Sequence, residues 1–119
     1  MAMGNRVDYM GVPPSGTVAK LAYNICRYSN VATAVEVARF LRSYIKDTQS
    51  IYELLREGSL DNFGQVWGED IKEMVLNGTP YKPSKIPEKD LTLIMELAKK
   101  HNLSDRLFKT LKEIYTSLT

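Results

Sequence analysis

SGTVAKLAYNICRYSNVATAVEVARFLRSYI runs from Ser15 to Ile45. It holds no proline, and its only glycine, Gly16, falls where a first helical turn would be. Apolar residues recur at Val18, Leu21, Ala22, Ile25, Cys26, Val31, Ala32, Ala34, Val35, Ala38, Leu41 and Ile45. Spacings of three and four dominate, which is a helical period and not a strand period. The apolar positions go most of the way round, so a buried rod is predicted rather than a merely amphipathic helix. Some thirty residues make a helix of about 45 Å. A compact chain of this length has a radius of gyration near about 13.5 Å. One helix is therefore expected to cross the whole domain, with shorter helices around it. Ser15 is positioned as its N-cap, and Ser29-Asn30 is the place where it would bend or break.

The flanks support the same architecture. Residues 1–14 end in Gly11 and Pro13-Pro14 and read as an extended lead-in or linker. Asp47 or Thr48 is placed to cap a helix that carries Ile51, Leu54 and Leu55 and stops at Gly58. Ser59 begins a short helix with Leu60, Phe63, Val66 and Trp67, and Glu69 to Leu76 forms the next, stopped by Asn77-Gly78. TPYKPSKIPEKD, Thr79 to Asp90, has three prolines between Pro80 and Pro87. It is expected to be an ordered crossing loop anchored by Tyr81 and Ile86. Leu91 to Lys100 is an amphipathic helix with Leu91, Ile94, Met95 and Ala98 on one face. Ser104 caps the last helix, which carries Leu107, Phe108, Leu111, Ile114, Tyr115 and Leu118. The expected fold is all-α, a helical bundle around one long central helix over residues 15–119, with no internal repeat.

Composition narrows the function classes. Sixteen basic and fourteen acidic residues give a net charge of +2, with no Lys/Arg run longer than a pair, so no nucleic-acid surface is expected. No apolar run approaches the roughly 20 residues of a membrane span, and no membrane is expected as a partner. The single cysteine, Cys26, excludes an internal disulfide and reads as a buried, inert thiol in a reducing, cytoplasmic setting. No metal-ligand cluster is present. His101 reads as a charge complement at a helix C-terminus and not as a ligand.

Lys20 and Asn24 are four residues apart on the long helix, and Arg27 follows on the same side. They form a polar stripe on an otherwise apolar rod. One explanation is plain packing, with Lys20 snorkelling to water and Asn24 capping a neighbouring loop. The other is a site. A lysine desolvated between apolar neighbours exchanges a proton more readily near neutrality, and an amide one turn away can fix a substrate oxygen. Trp67 and Phe63 suit packing better than a pocket wall.

Beyond the residues themselves, PSGTVAKLAYN resembles the catalytic segment of the β-hydroxyacid dehydrogenases. That family includes 3-hydroxyisobutyrate, tartronate semialdehyde and 6-phosphogluconate dehydrogenases. Its pattern is Gly-Ser-Gly, three residues, Lys, three residues, Asn. Here Ser15-Gly16, Lys20 and Asn24 match it, while Pro14 replaces the first glycine. The apolar stretch Ala34-Val35-Glu36-Val37-Ala38 and the triplet Lys89-Asp90-Leu91 are also similar, so the resemblance runs from Gly11 into the last helix. It implies the fold of the family's C-terminal helical domain, like that of 6-phosphogluconate dehydrogenase. It implies that Lys20 is the general acid/base, that Asn24 binds the substrate, and that Lys89 reaches the nicotinamide-ribose end of NAD or NADP. Asp90 is expected to be a structural cap. The partners it implies are a second copy in a homodimer, a small hydroxy acid, and an N-terminal Rossmann domain. No Gly-x-Gly-x-x-Gly turn occurs in this sequence, so this chain alone is not expected to bind the cofactor tightly. A stand-alone, non-catalytic helical dimerisation module derived from the same family is the alternative.

Overall fold

The computed structural model describes residues 15–58 and 63–119. The lead-in expected over residues 1–14 lies outside them, as does the start of the helix expected at Ser59. So do the side chains of Ser15, Phe63 and Trp67. Five α-helices follow one another: α1 Ser15–Arg42, α2 Thr48–Gly58, α3 Phe63–Asn77, α4 Ile86–Lys100 and α5 Arg106–Leu118. There is no strand among the described residues. The all-α reading holds.

Helix α1 is the organising element. Its 28 residues span about 42 Å, and it packs against all four other helices. It passes through Ser29-Asn30 without interruption. It stops at Arg42 rather than Ile45, and its last turn closes through Tyr44 and Ile45 amides donating to the Leu41 carbonyl. The core lies where its middle meets the neighbours. Ala34 and Val35 are fully buried there, with Ala38, Ile51, Ile71, Val75, Leu91 and Tyr115 packed around them. Small residues at 34 and 38 let the surrounding helices approach α1 closely.

The helix ends follow local chemistry. Asp47 caps α2: its carboxylate accepts the Gln49 amide at 3.2 Å and the Ser50 hydroxyl at 2.8 Å. Gly78 takes φ +74° directly after α3, the left-handed turn that glycine adopts without a Cβ clash. Asn102 does the same after α4, at φ 57°, and its neighbour Leu103 donates back to the Ala98 carbonyl at 2.8 Å. The Ser104 hydroxyl accepts the Arg106 amide at 3.3 Å, just ahead of α5.

Several expectations are corrected. The two short helices placed on either side of Gly68 are one helix, α3, because a glycine within a helix weakens it without ending it. Helix α4 starts at Ile86, five residues earlier than the apolar pattern suggested. Pro87 sits in its first turn, where a fixed φ and a missing N–H do no harm. Tyr81 does pack against the core, but Ile86 is 60% exposed and anchors nothing. Cys26 is exposed. The rod is not buried all round, since Ala22, Tyr23 and Phe40 also face out. The molecule is accordingly elongated, measuring 53 × 29 × 22 Å with a radius of gyration of 16.2 Å.

Candidate functional site

Helix periodicity sets the site out. Lys20, Asn24, Tyr28 and Val31 follow at four, four and three residues along α1, with Arg27 beside Tyr28. Toward the N-terminus the stripe emerges from the bundle. Lys20 is exposed. The desolvation expected from its apolar neighbours is therefore not supplied by the described residues, because Val18, Ala19 and Leu21 cover one side of the helix and leave the lysine's side open. Asn24 is half-buried and makes no hydrogen bond with another described residue. It does not cap a loop.

Asn24 lines a cleft of about 240 Å³ together with Arg27, Tyr28, Val31, Tyr81, Pro87 and Tyr115. Four segments meet there: α1, the loop before α4, the first turn of α4, and α5. Two tyrosines hold them together. The Tyr28 hydroxyl donates to Asp90 Oδ2 at 2.6 Å, so α4 is fixed to α1 near its first turn. The Tyr115 hydroxyl donates to the Tyr28 carbonyl at 3.0 Å, and the two rings meet edge to face with centroids 5.8 Å apart. Asp90 is thus structural, as expected, but it is not a helix cap. It lies in the second turn of α4 and accepts a bond from 62 residues away.

Burial keeps these phenols neutral. Desolvation pushes the Tyr28 hydroxyl well above its ordinary value, and the hydrogen bond and negative charge of Asp90 push it further. Tyr115 is raised in the same direction by burial and then by its tyrosine neighbours. Tyr81 is raised by burial and by the charge of Asp70. The site is thus a cluster of protonated hydroxyls.

Lys89 is exposed in the first turn of α4. It stands next to Asp90, so the Tyr28–Asp90 bond brings its segment to the helix that carries Lys20 and Asn24. Glu88, on the same turn, accepts the Thr116 hydroxyl at 2.6 Å and ties α4 to α5. Two parts of this arrangement were not readable in advance. Tyr28 and Tyr115 look like core aromatics in the sequence, and only their pairing with Asp90 and a helix carbonyl makes them positioning groups. The available signal was weak: Tyr28 sits one turn beyond Asn24, at the spacing that would line a common face.

No group of His, Cys, Asp and Glu able to hold a metal ion occurs among the described residues. No described helix is long and apolar enough to cross a membrane. For a dinucleotide, the described residues offer one cation in the cleft lining, Arg27, with Lys89 exposed outside that lining, and among them there is no glycine-rich turn to cradle a diphosphate. They fit contact with one end of such a cofactor and not its main binding site. Compared with known protein families, curated proteins and solved structures, the chain matches none.

Proposed function

We propose that this chain is the catalytic and dimerising helical half of an NAD(P)-dependent dehydrogenase acting on a 3-hydroxy acid, similar to 3-hydroxyisobutyrate dehydrogenase. The observation that carries the proposal is the Tyr28–Asp90 hydrogen bond. It joins the helix that carries Lys20 and Asn24 to the Lys89-Asp90-Leu91 turn, the two distant segments that resemble the family, beside the cleft that Asn24 lines. The resemblance alone does not require them to meet. The family's fold and a cytoplasmic setting belong to the same proposal.

The chemistry follows from the side chains. Asn24 is half-buried and makes no hydrogen bond with another described residue, so its amide can hold a substrate oxygen in place. Lys20 stands one turn beyond it and takes the hydroxyl proton as carbon gives up hydride. The nicotinamide, when bound, supplies the hydride acceptor. Lys89, exposed in the first turn of α4, is the residue proposed to reach the ribose next to it. Lys20 has to be neutral to accept a proton, so an element outside the described residues must cover it and exclude water. A dinucleotide-binding domain docked over the N-terminal half of α1 would do this.

The test is steady-state oxidation of 3-hydroxy acids by the complete polypeptide that carries this chain, with NAD+ and NADP+. Lys20→Met should lower kcat by about 10²–10⁴ while circular dichroism stays unchanged. A kcat within threefold of the parent would leave Lys20 as a snorkelling surface residue and favour the non-catalytic dimerisation module.

A further inference from the structure

Asn24, Arg27 and Tyr81 each line the cleft, and none of them makes a hydrogen bond or ion pair with another described residue. All three can donate. Each acceptor nearby already has a side-chain donor from within the protein. Asp90 is taken by the Tyr28 hydroxyl, and the Tyr28 carbonyl by the Tyr115 hydroxyl. No Asp or Glu lines this cleft. Asp70 acts on Tyr81 from an adjoining hollow, which it lines with Glu73, Thr79 and Lys82. The floor is apolar or aromatic: Val31, Pro87 and the tyrosine rings. An arginine on an ordinary surface needs none of these companions. Here a guanidinium, an amide and a half-buried phenol, none paired with another described residue, line one recess that has no carboxylate in its lining.

We propose that this recess is a carboxylate subsite, and that the substrate is a 3-hydroxy acid carrying a second carboxylate. The identity of the substrate rests on the dehydrogenase reading above; the anion site itself does not. Arg27 lies seven residues from Lys20, which places it on the same side of α1 about 10 Å along the axis. The reacting carbon sits at Lys20 and Asn24, and the distal carboxylate sits at Arg27 and Tyr81. The fork of the guanidinium matches a carboxylate with two parallel N–H···O bonds. Arg27 is the one cation of the lining, and Asp90 and Asp70 act on the tyrosines around it, so a singly charged carboxylate is tolerated there better than a phosphate dianion. Tyr81 donates its hydroxyl to the same group and stays protonated in doing so.

Two measurements test this. In the first, the 15N-labelled chain is titrated at low ionic strength with glutarate and with inorganic phosphate. Glutarate should give saturable shifts at the Arg27 side-chain N–H and at the Asn24 and Tyr28 amides. Arg27→Met should weaken that binding at least about tenfold, and Arg27→Lys should recover only part of it. Arg27 is exposed, so both variants should keep the fold. Absence of saturation, equal shifts in Arg27→Met, or tighter binding of phosphate than of glutarate would each overturn the carboxylate subsite. In the second, the complete polypeptide is assayed on 3-hydroxyglutarate and on 3-hydroxypentanoate, which differ only in a terminal carboxylate against a methyl. Wild type should favour 3-hydroxyglutarate by at least about tenfold in kcat/KM, and Arg27→Glu should invert the ratio. Turnover of both acids at a ratio near one, unmoved by Arg27→Glu, sinks the subsite and leaves the dehydrogenase. Saturable glutarate binding with turnover of neither sinks the dehydrogenase and leaves the subsite.

Discussion

A lysine in solvent and an amide half out of it do not make an active site by themselves. What supports reading them together is that Asn24 lines a cleft braced by the Tyr28–Asp90 and Tyr115–Tyr28 hydrogen bonds, with Lys20 one helical turn away on the same face of α1. Asn24→Ala should raise KM and lower kcat together, because a group that holds the substrate acts in both the ground and the transition state. Steady-state kinetics over a wide substrate range would separate the two, and an unchanged KM would remove Asn24 from the site. Lys20→Arg should fail to restore the activity lost in Lys20→Met, since a guanidinium does not release its proton near neutrality. Tyr28 makes a separate prediction about stability. Its hydroxyl gives a 2.6 Å bond to a carboxylate, and Tyr28→Phe leaves Asp90 without that donor. The loss should be about 1–2 kcal/mol by urea unfolding, near the lower end for a charged partner because the pair is only part-buried. The pH dependence has a definite sign. Tyr28 and Tyr115 hold their protons above the value of about 10 that tyrosine has in an unfolded chain. Above that pH the unfolded chain releases protons first, so stability complete below about pH 10 falls as pH rises further. Tyr28→Phe should show a shallower alkaline decline than wild type, and parallel declines would refute the coupling. The lysine motif was legible because residues four apart on a helix share a face. The Tyr28–Asp90 contact was not, because no periodicity links positions 62 residues apart.

At the scale of the elements, sequence patterns located helices well where a backbone-specific residue ended them. Asp47 and Gly78 are of this kind, and each marks its boundary in the structure as its chemistry requires. Patterns failed where the marker was ambiguous. Pro87 signals a loop or a first helical turn equally well, and the exposed Ile86 beside it gave a misleading apolar cue. Gly64 and Gly68 weaken a helix without ending it. One contact between elements could not have been read at all. The Arg42 guanidinium, at the end of α1, donates to the carbonyls of Met74 and Val75 in the last turn of α3. It thereby gives the Val75 carbonyl a donor, adds a second to the Met74 carbonyl that already accepts the Gly78 amide, and brings a cation to the negative end of the α3 dipole. Arg42→Ala should cost about 1–2 kcal/mol, since bonds from a charged donor are strong but this side chain is largely exposed. Thermal unfolding measures it, and a loss under about 0.3 kcal/mol, within the range of an ordinary surface change, would show the bonds to be incidental. Gly78→Ala should cost about 1 kcal/mol for the left-handed φ. Crowding adds little there, because the nearest atoms to an added Cβ are the Arg42 guanidinium nitrogens at 3.6 and 3.9 Å, at the end of a flexible chain.

For the whole molecule, the excess of radius over a compact chain has a specific source. A radius of gyration of 16.2 Å against about 13.5 Å for a compact chain comes from a helix longer than its partners can cover. Apolar periodicity reported how much of α1 wants burial but not what buries it. Ala22, Cys26, Thr33 and Phe40 are exposed, with Tyr44 just past the helix end. Their spacings of four, seven, seven and four keep them on one stripe, close to the period along which two helices stay in contact. The Phe40 and Tyr44 rings, 64% and 76% exposed, pack on each other with centroids 5.4 Å apart and project outward as a unit. This is why Cys26 was misread: it belongs to an apolar face, but that face points away from the bundle. A second copy of the chain laid along the stripe would cover it. Sedimentation velocity at micromolar concentration should then give a dimer, and Phe40→Glu with Tyr44→Glu should shift it to monomer without loss of helicity, because neither side chain belongs to the core. Cys26 should react with a thiol reagent more slowly in the dimer than in the double variant. A wild-type chain that sediments as monomer and modifies at the same rate as the variant would leave the stripe to some other partner.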